Sequence, residues 1–303
     1  MNSPSWQARA ISLALRLTFK RQLAAAQGID QVRRLMGRNM GRAPREMEIA
    51  PWPHAGGGQG ERLRCLRTPP RARLMYVHGG GFVAGSPLSH RSITVALARL
   101  GFEVWVPDYR LAPEHPFPQG LQQLLALYGE ASHGMSADQP LLLAGDSAGG
   151  GLVLSLMLML KEEGRAMPTA AALLSPLVDL TLSGHSIEAN ARRCAMFSRA
   201  PLERGVALYL GGQDARLPLA SPVRAKLHGL PPLIIHVGQN ETLLDDAVAL
   251  SEACQRDGVK AQLRIWPAVP HVWQLFGRYI PEARQSLREV AAFLHQHTLN
   301  SPV

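Results

Sequence analysis

The hydrophobic positions along the chain follow two alternating patterns. Nearly continuous apolar runs of strand length occupy residues 74–77, 102–106, 141–144, 170–174, 233–237 and 262–266. Segments with apolar side chains at helical spacing occupy residues 88–100, 119–131, 148–163, 242–257 and 281–298. Strands that are apolar on both faces and alternate with helices are typical of parallel sheets covered on both sides. We therefore predict an α/β fold with a mostly parallel sheet.

The N-terminal part of the chain differs from this alternation. Residues 1–45 carry apolar side chains at helical spacing, and prolines and glycines over 51–60 then interrupt the pattern. This break predicts a joint between a helical segment over residues 1–50 and the main body over residues 51–303. Residues 62–67 are expected to add an edge strand to the sheet.

A second interruption covers residues 179–225, which hold two weaker helical patterns around 186–195 and 201–210. An insertion at this point of the chain is expected over the carboxyl ends of the strands. Catalytic loops gather at that edge in open α/β sheets. The stretch is therefore expected to contribute to a cover over a site.

A candidate nucleophile lies in the sequence G-D-S-A-G at 145–149, between an apolar run and a helical pattern. This matches G-x-S-x-G, in which a sharp strand-to-helix turn lifts the serine hydroxyl above the sheet. Small neighbours let the backbone pass closely, and the helix N-terminus favours developing negative charge at Ser147. The alternative is a tight turn with an inert serine.

A candidate oxyanion hole lies in the sequence H-G-G-G-F at 78–82, directly after the first apolar run. Glycines allow the backbone to turn several N–H groups toward one point, where they stabilise an oxyanion. We expect Gly80 and Gly81 to donate, with Gly79 shaping the loop and the N–H of Ala148 completing the hole. A flexible loop or an anion nest is the alternative for the glycines alone. The two motifs in this order are far more specific than either one.

The chain also contains D-Y-R-L-A-P-E-H-P-F-P at 108–118, and Y-L-G-G at 209–212 followed by P-L-A-S-P at 218–222. With the two glycine motifs, these make residues 70–295 resemble the hormone-sensitive lipase family of α/β-hydrolases, including its bacterial esterases. The resemblance implies an eight-stranded sheet and a helical cap formed by the N-terminal segment and residues 179–225. It also implies hydrolysis of short-chain carboxylic esters without a cofactor or metal, and it is compatible with a homodimer.

The general base is expected well beyond the nucleophile, because the fold's chain order is nucleophile, acid, histidine. His271 follows the apolar run at 262–266 in a loop flanked by Pro267 and Pro270, where it can reach the serine. We favour it over the other histidines in this part of the chain, which are His185, His228, His236, His295 and His297.

The acid of the triad is expected after the apolar run at 233–237, where the chain offers Glu241, Asp245 and Asp246. Many members of the family read D-P-L-x-D here, and alignment on Leu243 places their first aspartate at Glu241. The two aspartates then fall in the first turn of a helix, where carboxylates suit the dipole. Asp245 remains the alternative acid.

In the mechanism we expect, His271 takes the proton of Ser147 while Glu241 fixes the imidazole tautomer, and water then hydrolyses the acyl-enzyme. Apolar side chains near the motifs or in the expected cap are candidates for the substrate pocket. These candidates are Phe82, Val83, Met196, Phe197, Leu210, Val272 and Trp273. Ordinary core packing is the alternative for each of them.

Composition narrows the remaining classes of function. The 303 residues are 46% hydrophobic, which suits one large domain, and the net charge is +9. The arginines are scattered rather than interleaved with aromatic residues, which favours a solvated basic surface over a nucleic-acid site. Three cysteines without a C-x-x-C pair argue against disulfides or zinc and favour a reducing, cytoplasmic location.

The N-terminal apolar stretch is interrupted by Arg16, Lys20 and Arg21, which favours an amphipathic helix over a signal peptide. No stretch is long enough to span a membrane. The expected partner is therefore a small-molecule ester. A lactone or acetyl-ester hydrolase, an amidase, an acyltransferase and a non-catalytic small-ligand receptor on the same fold remain alternatives.

Overall fold

The computed structural model describes residues 4–37, 44–54, 58–135 and 139–298. Its strands are β1 Met47–Pro53, β2 Gln59–Cys65, β3 Ala72–Val77, β4 Phe102–Val106, β5 Leu141–Asp146, β6 Ala171–Leu174, β7 Leu233–Gly238 and β8 Ala261–Trp266. They form one sheet in the order β1-β2-β4-β3-β5-β6-β7-β8. Neighbours from β4 to β8 in this order are parallel, and β2 runs antiparallel to β1 and β4. The expected mostly parallel, eight-stranded α/β sheet is confirmed.

Helices cover both faces of the sheet. They are α1 Trp6–Leu17, α2 Phe19–Ala25, α3 Ile29–Met36, α4 Arg91–Arg99, α5 Gln119–Ser132, α6 Ala148–Glu162, α7 Ser186–Ala189, α8 Arg199–Leu210, α9 Leu244–Arg256 and α10 Pro281–Gln296. Leu141 and Leu143 of β5 pack toward α5, α6 and α9, whereas Leu142 and Ala144 pack toward α4 and α10. Because both faces are buried, every residue of this strand is apolar or small up to the motif, as the continuous run predicts.

The first strand was not expected. Residues 47–50 were assigned to the N-terminal helical segment and 51–53 to the break after it, yet together they form the edge of the sheet, which therefore begins before the boundary expected at residue 51. Pro51 and Pro53 are exposed on this strand, which pairs with β2. An edge strand tolerates proline because the missing N–H needs no partner on the open side. The strand expected at 62–67 is consequently an interior strand, β2.

Helices α1–α3 and α7–α8 form a helical layer that is held together by cationic side chains bonded to backbone carbonyls. Lys20 Nζ donates to the carbonyls of Ala191 and Cys194. Arg204 in α8 donates to the carbonyls of Leu23 and Ala26. These bonds join the N-terminal helices to the insertion between β6 and β7. Residues 38–43, part of the helical stretch expected over 1–45, lie outside the described residues.

Within the described ranges, no helix combines the length and the hydrophobicity that crossing a bilayer requires.

The packing of α6 on the sheet yields a first prediction. A Cβ on Gly149 would lie 2.2 Å from the carbonyl oxygen of Val77 and 2.5 Å from that of His78. Gly149→Ala should therefore destabilise the protein by about 1–3 kcal/mol, as overpacking does. The measurement is the midpoint of urea unfolding.

Gly129→Ala is the matched control, because it also places a Cβ within a helix but against the flexible end of Arg165. Its gain in helix propensity should stabilise the protein by up to about 1 kcal/mol. Equal midpoints for the Gly149→Ala variant and the wild type would contradict the close contact.

Candidate active site

Ser147 occupies the turn between β5 and α6 with φ 50° and ψ −123°. This positive φ is unfavourable for a residue with a side chain, so the surroundings must hold it. Its N–H donates to the carbonyl of Leu174 at 2.8 Å, and its carbonyl accepts from the N–H groups of Leu177 and Gly151 at 3.0 and 3.3 Å. The turn is therefore fixed from the neighbouring strand β6 and from its own helix.

The glycine loop after β3 lies against this turn. Gly80 has φ +127°, and a Cβ there would lie 1.9 Å from the carbonyl oxygen of Ala84, so only glycine fits. The N–H of Gly79 donates to Asp146 Oδ1 at 3.0 Å. Within the described residues, the N–H groups of Gly80, Gly81 and Ala148 make no hydrogen bond. The loop thus has free donors next to the serine, whereas Gly79 is engaged in holding the loop.

The loop is held by a carboxylate with almost no solvent contact. Asp146 Oδ1 also accepts from the Tyr76 hydroxyl at 2.7 Å, and Oδ2 faces His90 Nε2 at 3.3 Å. Burial alone would raise the pKa of Asp146, but His90 and the bonds from Tyr76 and Gly79 hold it below the usual value. Burial disfavours a charged ring at His90, yet Asp146 raises the pKa of His90 above its usual value. The two residues form a buried ion pair beside the turn.

His78 is the neutral member of this group. It stacks between His90 and Tyr109, with ring centroids 5.4 and 4.5 Å away. Burial and then the neighbouring His90 lower the pKa of His78 to about 3. Its Nδ1 faces the carbonyl of Gly79 at 2.8 Å, and the Tyr109 hydroxyl donates to the His78 carbonyl at 2.8 Å. His78 therefore braces the loop.

A buried carboxylate–imidazole pair joins the loops that follow β7 and β8. Glu241 Oε2 lies 2.5 Å from His271 Nδ1, and both residues are buried. Because a carboxylate accepts only, Nδ1 carries the proton and Nε2 is left as an acceptor. Glu241 Oε1 accepts from the Ser175 hydroxyl at 2.8 Å and the Gly238 N–H at 2.5 Å. Three donors therefore fix the carboxylate, and through it the imidazole.

The two aspartates that follow Glu241 are engaged elsewhere. Asp246 Oδ2 accepts from the N–H groups of Val178 and Asp179 at 2.8 and 3.0 Å, and Asp245 Oδ2 accepts from the N–H of Ser186 at 2.8 Å. Both side chains thus tie α9 to the segment after β6. The sequence interpretation credited them with the helix dipole alone and missed these bonds.

Two cavities meet at Ser147 and share Met36, Gly80 and Phe197. The smaller has a volume of about 120 Å³, and its apolar lining includes Leu23, Ile29, Val32, Phe82, Val83, Leu177, Leu202 and Val206. The larger has a volume of about 500 Å³ and is lined by residues that include Leu15, Thr18, Phe19, Gln22, His90, Asp146, Met196, His271, Val272, Leu275 and Phe276. Ser147 and His271 thus face one space, and Ser147 alone of the two faces the smaller one.

Most of the apolar residues singled out in the sequence lie on these walls, but two do not. Leu210, the last residue of α8, is buried in the core and lines neither cavity. Trp273 has no solvent contact and packs on Trp266 and His236, with ring centroids 5.6 and 6.5 Å away. For these two residues core packing, the stated alternative, describes what the structure shows.

Sequence reasoning missed several residues of the site. Ser175, His90 and the cavity-lining side chains of α1–α3 belong to no motif of the nucleophile or the glycine loop. The helical spacing of residues 11–36 was the available signal for the last group. Among the described residues, no cluster of three or more His, Cys, Asp or Glu is arranged to hold a metal ion.

Comparison with known proteins identifies the fold of the chain. The family model that matches residues 74–275 describes the alpha/beta hydrolase fold. An acetyl-hydrolase from Streptomyces hygroscopicus is 39% identical over 239 residues, which cover 78% of this chain and 80% of that protein.

Solved structures are similar over nearly the whole chain. EstE5, crystallised and soaked in ethyl alcohol, has a TM-score of 0.92 at 34% identity and covers 97% of this chain and 99% of its own. An esterase from the bacterial hormone-sensitive lipase family has a TM-score of 0.89 at 35% identity, with 98% of this chain and 100% of that chain covered.

The second prediction concerns stability and pH. Burial raises the pKa of Asp246 to about 7 despite its bonds from the N–H groups of Val178 and Asp179. The unfolded chain releases this proton near pH 4 and the folded protein retains it to about pH 7. Asp246 therefore makes folding less favourable as the pH rises between these values.

Asp246→Asn removes this titration and keeps an oxygen acceptor for both N–H groups. The free energy of unfolding of the variant, relative to that of the wild type, should increase from pH 5 to pH 8. The increase should be on the order of a few kcal/mol. Urea unfolding of both proteins at the two pH values measures this difference. If the difference is the same at both pH values, the Asp246 carboxyl does not titrate in this range.

Proposed function

The chain belongs to the bacterial hormone-sensitive lipase family of alpha/beta hydrolases and is a carboxylic ester hydrolase, and we propose that it acts through an acyl-enzyme on Ser147. The observation that carries this proposal is the buried hydrogen bond between Glu241 and His271, with His271 and Ser147 lining the same cavity. The N–H groups of Gly80, Gly81 and Ala148 at this site make no hydrogen bond within the described residues. The family resemblance drawn from the motifs is confirmed, and the receptor alternative is set aside.

Acylation begins when Ser147 Oγ attacks the ester carbonyl carbon and its proton passes to His271 Nε2. Glu241 stabilises the imidazolium that forms, since its carboxylate accepts from Nδ1. The carbonyl oxygen becomes an oxyanion that the N–H groups of Gly80, Gly81 and Ala148 bind. Collapse of this intermediate breaks the bond to the alcohol oxygen, which takes the proton from His271.

Deacylation repeats the sequence with water as the nucleophile. His271 Nε2 takes a proton from water, whose oxygen attacks the acyl carbon, and the second tetrahedral intermediate releases the acid. The proton returns to Ser147 Oγ, so enzyme and proton balance are both restored.

The two cavities take different parts of the ester in this proposal. His271 protonates the leaving alcohol, so the larger cavity, which His271 lines, takes the alcohol. The smaller cavity, lined by Gly81 and apolar side chains, takes the acyl chain. At about 120 Å³ it is smaller than the engineered apolar cavity of about 150 Å³ that holds benzene, so the acyl chain is short.

The substrate class that follows is a short-chain acyl ester, such as an acetyl ester, of a larger apolar alcohol. The name of the Streptomyces hygroscopicus acetyl-hydrolase supports a short acyl group. The helical layer of α1–α3 and α7–α8 acts as the cap over both cavities. The free, buried thiols of Cys65, Cys194 and Cys254 support a reducing, cytoplasmic location, and a homodimer stays a prediction of the resemblance.

The third prediction tests the triad acid. Glu241→Ala removes the acceptor of His271 Nδ1, and kcat should fall by about four orders of magnitude, as for other triads. Asp245→Ala is the matched control, since Asp245 binds the N–H of Ser186 instead. Hydrolysis of p-nitrophenyl butyrate measures both, with urea unfolding to verify the fold. A larger loss of kcat in the Asp245→Ala variant would reverse the assignment.

The fourth prediction tests which cavity takes the acyl chain. Among p-nitrophenyl esters, kcat/KM should be highest for acetate to butyrate and fall for octanoate. Val206→Ala enlarges only the smaller cavity, so it should move the optimum toward longer acyl chains. Leu275→Ala enlarges only the larger cavity and should leave the acyl optimum in place. If only Leu275→Ala moves the optimum acyl-chain length, the acyl chain binds in the larger cavity and the alcohol in the smaller one.

A further inference from the structure

Helix α1 exposes an apolar surface that has no partner within the described residues. Trp6, Leu13 and Leu17 are 74%, 54% and 49% exposed. They are seven and four residues apart, so they lie on one face of the helix, and the exposed Ala10 lies between them. We call these four residues the outer stripe.

The opposite face of α1 already packs on the protein. Ala8 is fully buried with Trp266, Ile280 and neighbouring residues, and Ile11 packs against the same cluster. Helix α1 is therefore apolar on two opposite faces, of which the inner one is satisfied. Since the fold does not need the outer stripe for its own packing, three large apolar side chains exposed along one helix indicate an interaction surface.

The segment that carries the outer stripe has a positive charge, although one carboxylate from α10, Glu282, accepts from Ser5 at its start. Residues 1–29 contain Arg9, Arg16, Lys20 and Arg21 and no Asp or Glu, so they supply four of the net nine positive charges of the chain. Lys20 and Arg16 bond to backbone carbonyls of residues 191–194. Arg9 and Arg21 are exposed and make no side-chain bond within the described residues, which leaves their charge available to an anionic surface.

The same helical segment forms a wall of the larger cavity, to which the proposed function assigns the alcohol part of the ester. Leu15 in α1 lines the larger cavity together with Thr18 and Phe19, which follow directly. Phe276 lines the same cavity, and Tyr279, three residues further on, is 56% exposed beside Arg278. The cavity is thus bordered by elements that also expose aromatic, aliphatic and cationic side chains.

We propose that the outer stripe of α1 binds the surface of an anionic lipid bilayer, with the stripe among the acyl chains and the arginines at the headgroups. Helices that combine Trp and Leu on one face with flanking Arg or Lys bind lipid interfaces in this way. The negatively charged cytoplasmic leaflet supplies the complementary charge. Docking brings a wall of the alcohol cavity to the interface, where esters of apolar alcohols accumulate.

Binding to lipid vesicles tests this proposal without any ester turnover. Trp6 is the reporter, because the other four tryptophans, Trp52, Trp105, Trp266 and Trp273, are 8% exposed or less. Vesicles of phosphatidylcholine and phosphatidylglycerol should shift the tryptophan emission to shorter wavelength and sediment with the protein. Vesicles of phosphatidylcholine alone, or high salt, should weaken binding because the arginines lose their attraction.

The double variant Leu13→Gln/Leu17→Gln keeps the reporter and polarises the stripe. Its vesicle affinity should fall by about tenfold or more, since two leucine side chains no longer enter the acyl region. Leu66→Gln is the matched control, because Leu66 is 62% exposed on the turn after β2 and should bind as the wild type does. Arg9→Gln/Arg21→Gln should weaken binding to the anionic vesicles only.

Three results would overturn the proposal. The first is that the wild type does not sediment with anionic vesicles, and the second is that the double variant binds them as well as the wild type does. The third is that the wild type binds no vesicles and sedimentation velocity shows it to be a dimer, whereas the double variant is a monomer. The outer stripe would then be an interface between two copies of the chain. Hydrolysis of p-nitrophenyl butyrate in solution should be equal in all variants, so a failure of lipid binding is separable from a failure of the proposed mechanism.

Discussion

The close approach of α6 to the carboxyl end of β3 is the constraint on which the site depends. Gly149 lets the first turn of the helix touch the backbone of Val77 and His78, where no larger residue has room. That contact sets the sharp turn at Ser147 and fixes the distance between the turn and the glycine loop. Strain at Ser147 is therefore compensated by backbone packing around it, which the geometry of acyl transfer requires.

Electrostatics of the site follow from the same contact. It brings the carboxylate of Asp146 under the glycine loop, where Asp146 fixes the N–H of Gly79 and leaves the next donors free. An unpaired negative charge at this place would oppose an oxyanion, and the facing His90 offsets it. A second carboxylate, Glu241, accepts from His271 Nδ1. The two buried acids thus serve the electrophilic and the basic side of the reaction separately.

Patterns in the sequence predicted the parts of this arrangement that depend on local chemistry. The apolar runs identified β3 to β7 because both faces of these strands are buried, and the two glycine motifs identified the turn and the loop. Strand β8 was also identified, although it is the open edge of the sheet and most of its residues are exposed or half-buried. Strand β1 was missed because its prolines are compatible with a strand only at an open edge, which the topology decides. His90 and Ser175 were missed because their roles come from contacts 56 and 66 residues away in the chain. Trp273 was wrongly included among the cavity residues because it is only two positions from His271, which does line the larger cavity.

The bonds that seat the helical layer have a consequence for how this enzyme can diversify. Lys20 and Arg204 hold the layer by donating to peptide carbonyls rather than to side chains. Peptide carbonyls persist whatever residue occupies the position, so mutations at Ala191, Cys194 or Leu23 leave the anchors intact. Residues in the cavity walls can therefore change under selection for new esters while the helical layer stays attached to the protein. Substrate specificity can thus evolve with little loss of folding stability.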